Sequence, residues 1–215
     1  MDRSRIGIII PALNESATIA HVVKSVASQG IPVVVDDGST DATGELATAA
    51  GATLVRHESC LGYDQALNTG FARASALGCE YLITMDGDGQ HDTAVVSAFV
   101  RELDAGADAV VGIRDRRQRI AEHFFGWVGA IKWSIRDPLC GMKAYRVAVY
   151  RELGYFDSYG SIGTELALFA AKRGKRIAQV AVKTRDRADQ PRFGRRYQAN
   201  MRILRALYVS LSAYR

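Results

Sequence analysis

The chain has 215 residues, of which 48% are hydrophobic and 24% charged, with a formal net charge of +5. These proportions exclude disorder and collagen-like repeats, and no apolar run approaches the roughly 20 residues needed to cross a bilayer. The N-terminal stretch MDRSRIGIII lacks a signal-peptide cleavage pattern, so a soluble or peripheral protein is expected. Three cysteines, Cys60, Cys79 and Cys140, form no CxxC pair. They point to a reducing, cytoplasmic setting, each as a small buried hydrophobe.

Along the chain, Arg5–Ile10 is a continuous apolar run ended by Pro11 and reads as a buried strand. Ser16 is placed to cap a helix through Ser28, with Ile19, Val22, Val23 and Val26 at helical spacing. Ile31–Val35 is a second strand, followed by a turn at Asp36–Asp41 and a helix over Ala42–Ala50 that stops at Gly51. Thr53–Arg56 is a short strand, Leu61–Leu77 a helix, Tyr81–Met85 a strand, Thr93–Leu103 a helix and Ala109–Ile113 a strand. Beyond residue 113 the spacing predicts partial helix in Arg114–Trp133, a short strand at Lys143–Arg146 and a helical turn at Val147–Leu153. A helix at Thr164–Lys172 and a strand at Ile177–Val182 follow, then a basic loop over Lys183–Arg196. The last element is an amphipathic helix over Tyr197–Tyr214, with Ile203, Leu204, Leu207, Tyr208 and Leu211 on one face.

Strands alternating with helices through short connections predict an α/β domain with a mainly parallel, doubly wound sheet and helices on both faces. Such sheets bind ligands beyond the carboxyl ends of their strands. The polar clusters after the first, second and fourth strands fall on that edge and are expected to converge. No repeat or linker divides the chain, so residues 1–215 read as one domain.

The charge is unevenly placed. Residues 1–112 carry 6 Lys/Arg against 15 Asp/Glu, whereas residues 113–215 carry 22 against 8. An acidic half suits a metal cation, and a basic half suits phosphates, a membrane surface or nucleic acid. The basic residues lack interleaved aromatic base-stacking pairs, which argues against nucleic acid.

Three constellations carry chemistry. In DGDGQHD, Asp86 to Asp92, two carboxylates at i and i+2 after a buried strand can converge on a hard divalent cation such as Mg²⁺ or Mn²⁺, with Gln90 adding an oxygen and His91 a nitrogen. An ordinary Asp/Gly turn is the alternative. In VVVDDGSTDAT, Val33 to Thr43, Asp36 and Asp37 sit at a strand tip where a carboxylate can accept from a nucleobase N–H or a ribose hydroxyl, while Ser39 or Asp41 supplies a helix cap. In PALNES, Pro11 to Ser16, Asn14 and Glu15 can orient polar groups.

IIIPALNE, VVVDDGSTDAT and LITMDGDGQHD together resemble family 2 glycosyltransferases of the GT-A fold. The stretch VVGIRDRR…IRDPLCGMKAYR, with GTELALFAAKRGKRIAQVAV and Asp186-Arg187 after it, resembles the polyprenyl-phosphate sugar synthases of the dolichol-phosphate mannose synthase branch. The resemblance covers nearly the whole chain and divides it into a nucleotide-sugar half, 1–112, and an acceptor half, 113–215.

That resemblance implies a metal-dependent inverting transfer of a sugar from a UDP or GDP donor to a polyprenyl phosphate. A glycan or lipid-linked hydroxyl is the alternative acceptor. It places Pro11, Leu13, Glu15, Asp36 and Asp37 at the nucleoside, with one of the two aspartates touching base or ribose. It places Asp86, Asp88 and Gln90 on the Mn or Mg ion, and Arg187 over the diphosphate. Arg114, Arg117 and Arg119 would meet the acceptor phosphate, as guanidinium forks suit phosphates, and Arg116 follows in the same stretch. Asp137 would be the general base for a hydroxyl acceptor, or a positioning group for a phosphate. Asp88 shares the catalytic role through the metal, and Glu165 matches an acidic position of the family.

The chain departs from the pattern at Leu13, where an aromatic is usual, at Ile113 and Cys140, which replace serines, and in a longer basic loop at Asp189–Arg196. Cys140 reads as structural. Peripheral membrane contact through Phe124, Phe125, Trp127, Trp133 and the basic residues is a further expectation, with core packing of those aromatics as its alternative. Two other classes compete, an aspartate-nucleophile phosphohydrolase using Asp86 and a non-catalytic nucleotide-binding scaffold. The first leaves PALNE and the Asp36–Asp37 pair unexplained, and the full set of donor-side carboxylates argues against the second.

Overall fold

The computed structural model describes residues 2–87, 94–115, 119–183 and 196–213. Its strands are β1 (Ile6–Ala12), β2 (Ile31–Asp36), β3 (Thr53–Arg56), β4 (Tyr81–Thr84), β5 (Ala109–Arg114), β6 (Lys143–Arg146) and β7 (Ile177–Val182). They form one sheet in the order β3-β2-β1-β4-β6-β5-β7. The helices are α1 (Ile19–Val26), α2 (Thr43–Ala49), α3 (Tyr63–Ala76), α4 (Ala94–Asp104), α5 (Ile120–Trp133), α6 (Val147–Leu153), α7 (Glu165–Lys172) and α8 (Arg196–Ser212).

Alternate residues of each buried strand feed opposite faces of the sheet, as the period-2 pleat requires. Ile9, Val33, Leu82 and Val111 pack with Phe71, Phe125, Phe156 and the α7 and α8 residues Leu168, Ile203 and Leu207. Ile8, Ile10, Val34, Ile83 and Val110 pack instead with Val22, Val23 and Val26 of α1 and Phe99 and Leu103 of α4. Both faces are thus covered, which is why these strands read as continuous apolar runs.

Two expectations are corrected here, and one strand direction that the sequence left open is settled. Pro11 does not end the first strand: it pairs with Val35, and Ala12 pairs with Asp36. The Ile9 carbonyl accepts from Met85 on the β4 side and the Ala12 carbonyl from Asp37 on the β2 side. Residue 11 therefore turns its backbone toward β4, where pairing has already stopped at Ile9–Thr84. No ladder bond needs the N–H that proline lacks. Ser16 does not cap α1, which begins at Ile19; its amide donates to Asp41 Oδ2 instead. And β6 runs antiparallel between β4 and β5. Because its direction is reversed, its N-terminal end meets the carboxyl edge of the parallel strands. Residues 137–143 are thereby delivered to the same edge as the tips of β1, β2 and β4.

Candidate active site

The clusters at Pro11–Ser16 and Val33–Thr43 are laced together. The Asn14 amide donates to Ser39 Oγ at 2.9 Å and the Glu15 amide to Thr43 Oγ1 at 2.8 Å, while Asn14 Oδ1 accepts from the Thr40 amide at 2.9 Å. Asn14 is held at φ +52, a left-handed conformation that asparagine tolerates better than most residues. Asp41 accepts from the Thr43 amide at 3.0 Å and from its hydroxyl. Burial works to raise its pKa, but bonds from Thr43 and Ser16 outweigh it and hold the carboxyl at about 2. The segment after β4 meets the start of α1 where the Thr18 hydroxyl donates to the Gly87 carbonyl at 2.8 Å.

Asp36 and Asp37 are both buried, and both are held by the chain itself. Asp36 Oδ1 accepts from the Ser39 amide at 2.9 Å, and Oδ2 lies 3.3 Å from Arg56 Nε. Asp37 organises the loop after β3. Its Oδ1 meets His57 Nδ1 at 2.7 Å and the Leu61 amide at 2.8 Å; its Oδ2 accepts from the Gly62 amide at 2.8 Å and Cys60 Sγ at 3.2 Å. Burial opposes ionisation of Asp37, but these donors hold its pKa below the usual carboxylate range. Gly38, at φ +74, passes this loop so closely that a Cβ would lie 2.6 Å from the Ser59 carbonyl carbon. Cys60 is exposed rather than buried, with its thiol donating to Asp37; Cys79 and Cys140 are buried as expected. Pro11 and Leu13 are half-buried at the tip of β1, and Glu15 is buried behind them.

Asp86 stands half-buried at the tip of β4. The Tyr63 hydroxyl lies 3.4 Å from its Oδ1. On the other side a Cβ at Gly141 would come within 2.7 Å of Oδ2, so only glycine leaves the carboxylate its place. A partly accessible carboxylate in such a cradle suits a hard divalent cation. Asp88, Gln90, His91 and Asp92 lie outside the described residues. Among the described residues no group of three or more His, Cys, Asp or Glu side chains is placed to hold a metal ion.

The antiparallel strand β6 contributes Lys143, which is buried with its Nζ donating to the Cys140 carbonyl at 2.5 Å. Burial pushes its pKa down, while Cys140 and the Asp137 and Asp86 carboxylates act in the opposite sense. The Cys140 thiol is pushed up to about 11, chiefly by burial, which fits a structural role.

Arg114 and Asp137 form a two-pronged pair, and Arg114 Nη1 reaches buried Glu122 at 3.4 Å. Arg119 Nη1 also bonds Glu122, at 2.9 Å. Burial works against the Arg114 charge, but Asp137 and Glu122 more than offset it and raise its pKa. The two described guanidinium groups of the acceptor stretch are therefore engaged with buried carboxylates. Arg116, Arg117 and Arg187 lie outside the described residues, as does most of the 189–196 loop. Glu165 is buried and accepts from the Ser158 amide at 2.6 Å and hydroxyl at 3.0 Å.

Sequence reasoning missed Tyr63, His57, Glu122 and Lys143. Tyr63 and Glu122 carried a faint signal: an aromatic opening a helix just after Gly62, and an acid inside an apolar helix beside a basic stretch. Lys143 carried none, since its burial follows from the sheet order.

The aromatics of α5 divide. Phe125 and Trp133 are buried, whereas Ile120, Phe124, Trp127 and Ile131 are exposed. On α8, Ile203 and Leu207 are buried but Met201, Leu204, Tyr208 and Leu211 are exposed. The single apolar face expected for that helix is therefore two.

A family model described as glycosyl transferase family 2 matches residues 7–154. A dolichyl-phosphate hexose transferase of Haloferax volcanii is 26% identical over 201 residues, spanning 87% of this chain and 86% of that protein. A polyprenol monophosphomannose synthase of Mycolicibacterium smegmatis is 34% identical over 116 residues, 50% of this chain and 44% of that protein. Among solved structures, glucosyl-3-phosphoglycerate synthase from Mycobacterium tuberculosis, in complex with Mn²⁺, UDP-glucose and phosphoglyceric acid, superposes with a TM-score of 0.76. It is 23% identical, and the match covers 96% of this chain and 78% of that one.

Proposed function

This chain belongs to glycosyl transferase family 2 and is a glycosyltransferase; we propose that it moves a sugar, with inversion, from a UDP or GDP donor to a polyprenyl phosphate at a membrane surface. The observation that carries this reading is the meeting of the β1, β2 and β4 tips through Asn14–Ser39, Glu15–Thr43 and Thr18–Gly87, with Asp86 at the junction.

In the proposed reaction an oxygen of the acceptor phosphate attacks the anomeric carbon. The bond from that carbon to the diphosphate breaks, and the electron pair leaves on the nucleoside diphosphate. A divalent cation held by Asp86, with Asp88 and Gln90 beside it, would neutralise the charge growing on the leaving group. Pro11, Leu13 and Glu15 border the nucleoside. Asp36 and Asp37, whose carboxylates bond their own loops, act on it by holding those loops in place. Arg187 is proposed to reach the diphosphate and Arg117 the acceptor.

The phosphate acceptor is favoured over a hydroxyl by the state of Asp137. A carboxylate bonded twice to one guanidinium is a poor base, and an ionised phosphate requires none. Arg114 and Arg119, tied to Asp137 and Glu122, brace the acceptor end. Membrane contact is supported by the exposed apolar stripes of α5 and α8, two helices that pack together. Lys132 beside them is exposed and would meet anionic lipid.

The test is transfer of radiolabelled sugar from a UDP or GDP donor to a polyprenyl phosphate in anionic vesicles, with Mn²⁺. We expect a labelled lipid, lost on chelation and reduced at least 100-fold in Asp86→Asn. Full transfer by Asp86→Asn in the presence of chelator would refute the metal-dependent reading.

A further inference from the structure

The two arginines of the acceptor stretch that the structure describes already hold buried carboxylates, yet the molecule has a second arginine pair facing a pocket. Tyr63, Asp64, Gly160, Ile162, Arg202 and Arg205 line a pocket of ≈ 330 Å³. It adjoins the site just described, because the Tyr63 hydroxyl is 3.4 Å from Asp86 Oδ1.

The pocket is built from anchored parts. Arg202 and Arg205 are three residues apart and so share one side of α8, which is fixed by buried Ile203, Ala206 and Leu207. Both guanidinium-bearing residues are exposed; Arg205 Nη1 reaches only a long 3.5 Å contact with the Tyr159 carbonyl. The opposite wall, residues 157–165, is tied down by Asp157, which accepts from the Ser161 amide at 3.0 Å and the Gly163 amide at 3.1 Å. Within it Ile162 is held at φ +58, a conformation that a β-branched residue rarely adopts. Of the Asp64 carboxyl, which the Ile162 and Gly163 amides help to hold, Oδ1 is buried without a hydrogen bond of ordinary geometry among the described residues. An unpaired buried oxygen is costly to leave so, and a donor arriving with a ligand would complete it.

We propose that this pocket seats the acceptor's phosphate monoester, gripped by Arg202 and Arg205 and presented to the donor beside Tyr63 and Asp86. A phosphate matches two guanidinium groups in charge and in forked geometry. A protonated phosphate oxygen, or a hydroxyl of the acceptor, supplies the donor that Asp64 Oδ1 lacks. The apolar residues Met201, Leu204 and Tyr208 are exposed on the same helix, so a lipid tail attached to that phosphate would have a surface to follow. The inference rests on the glycosyltransferase reading for the ligand's role, but not for its binding.

The experiment measures binding to the full chain without donor, by calorimetry, using farnesyl phosphate and 3-phosphoglycerate as probes. Arg202→Gln, Arg205→Gln and the double variant are compared with the parent. Thermal stabilisation by UDP or GDP with Mn²⁺ is recorded in parallel. We expect the double variant to weaken phosphate binding at least tenfold while the nucleotide–Mn²⁺ stabilisation stays unchanged. Tighter binding of farnesyl phosphate identifies a lipid source; tighter binding of 3-phosphoglycerate identifies a soluble one, and either supports the pocket. Unchanged phosphate affinity in the double variant overturns it. Arginine-dependent phosphate binding with no nucleotide–Mn²⁺ stabilisation would keep the pocket and remove the donor reading instead.

Discussion

Arg114 and Asp137 face each other as a fork and its rest, with Nε 2.8 Å from Oδ2 and Nη2 2.9 Å from Oδ1, and the Arg114 amide adds a third bond to Oδ2 at 3.1 Å. The two residues come from the end of β5 and from the approach to β6, so the pair fastens the segment leading into β6 to the tip of β5. Removing one partner strands a buried charge, which costs about 3–5 kcal/mol. Asp137→Asn should therefore lower the urea midpoint sharply. Replacing both by apolar residues, Arg114→Met with Asp137→Leu, should recover most of that loss. A double variant as unstable as Asp137→Asn would show that the pair is more than a matched set of charges.

Gly141 makes the Asp86 cradle. A methyl group there would lie 2.7 Å from Oδ2 and 3.3 Å from Cγ, and the half-buried carboxylate must turn away. Gly141→Ala is expected to fold normally but to need at least tenfold more Mn²⁺ for half-maximal transfer. A metal titration of activity beside a thermal melt checks both halves of this statement.

Asp64 gives the fold a pH dependence. Burial, then the charge of Asp157, raises its pKa from 3.8 to about 6. Between those values the folded chain keeps a proton that the unfolded chain has released, so this residue's contribution to stability falls as pH rises from 4 to 6 and is lowest above 6. Each pKa unit is worth about 1.4 kcal/mol. Asp64→Asn should therefore be more stable than the parent at pH 7, by ~2 kcal/mol, and no more stable at pH 4. Equal gains at both pH values would remove the titration from the explanation.

The exposed stripes of α5 and α8 are unusual for a surface in water. Ile120 is 85% exposed, Trp127 62% and Tyr208 74%, and Phe124 and Trp127 stack with ring centroids 6.2 Å apart. Trp127→Glu with Tyr208→Glu should reduce flotation with anionic vesicles several-fold without lowering Tm. Unchanged flotation would assign the face to something other than lipid.

The order of strands and helices was legible from residue types alone, because buried parallel strands are short apolar runs and the helices carry apolar residues at helical spacing, as Val22, Val23 and Val26 do in α1. The polar clusters at Pro11–Ser16, Asp36–Asp41 and Asp86 were legible for the same reason: each interrupts an apolar run at a strand tip. Long-range pairing was not. That Asp37 would face His57 and the Leu61 and Gly62 amides, that β6 would enter the sheet backwards and bring Gly141 against Asp86, and that Arg114 would be claimed by Asp137 all depend on partners distant in sequence. Local propensity and periodicity carry no information about such partners, since a carboxylate or guanidinium looks the same whether its counterpart is a ligand or another part of the chain. The tertiary structure decided which charges are satisfied internally and which, like Arg202 and Arg205, still face a pocket.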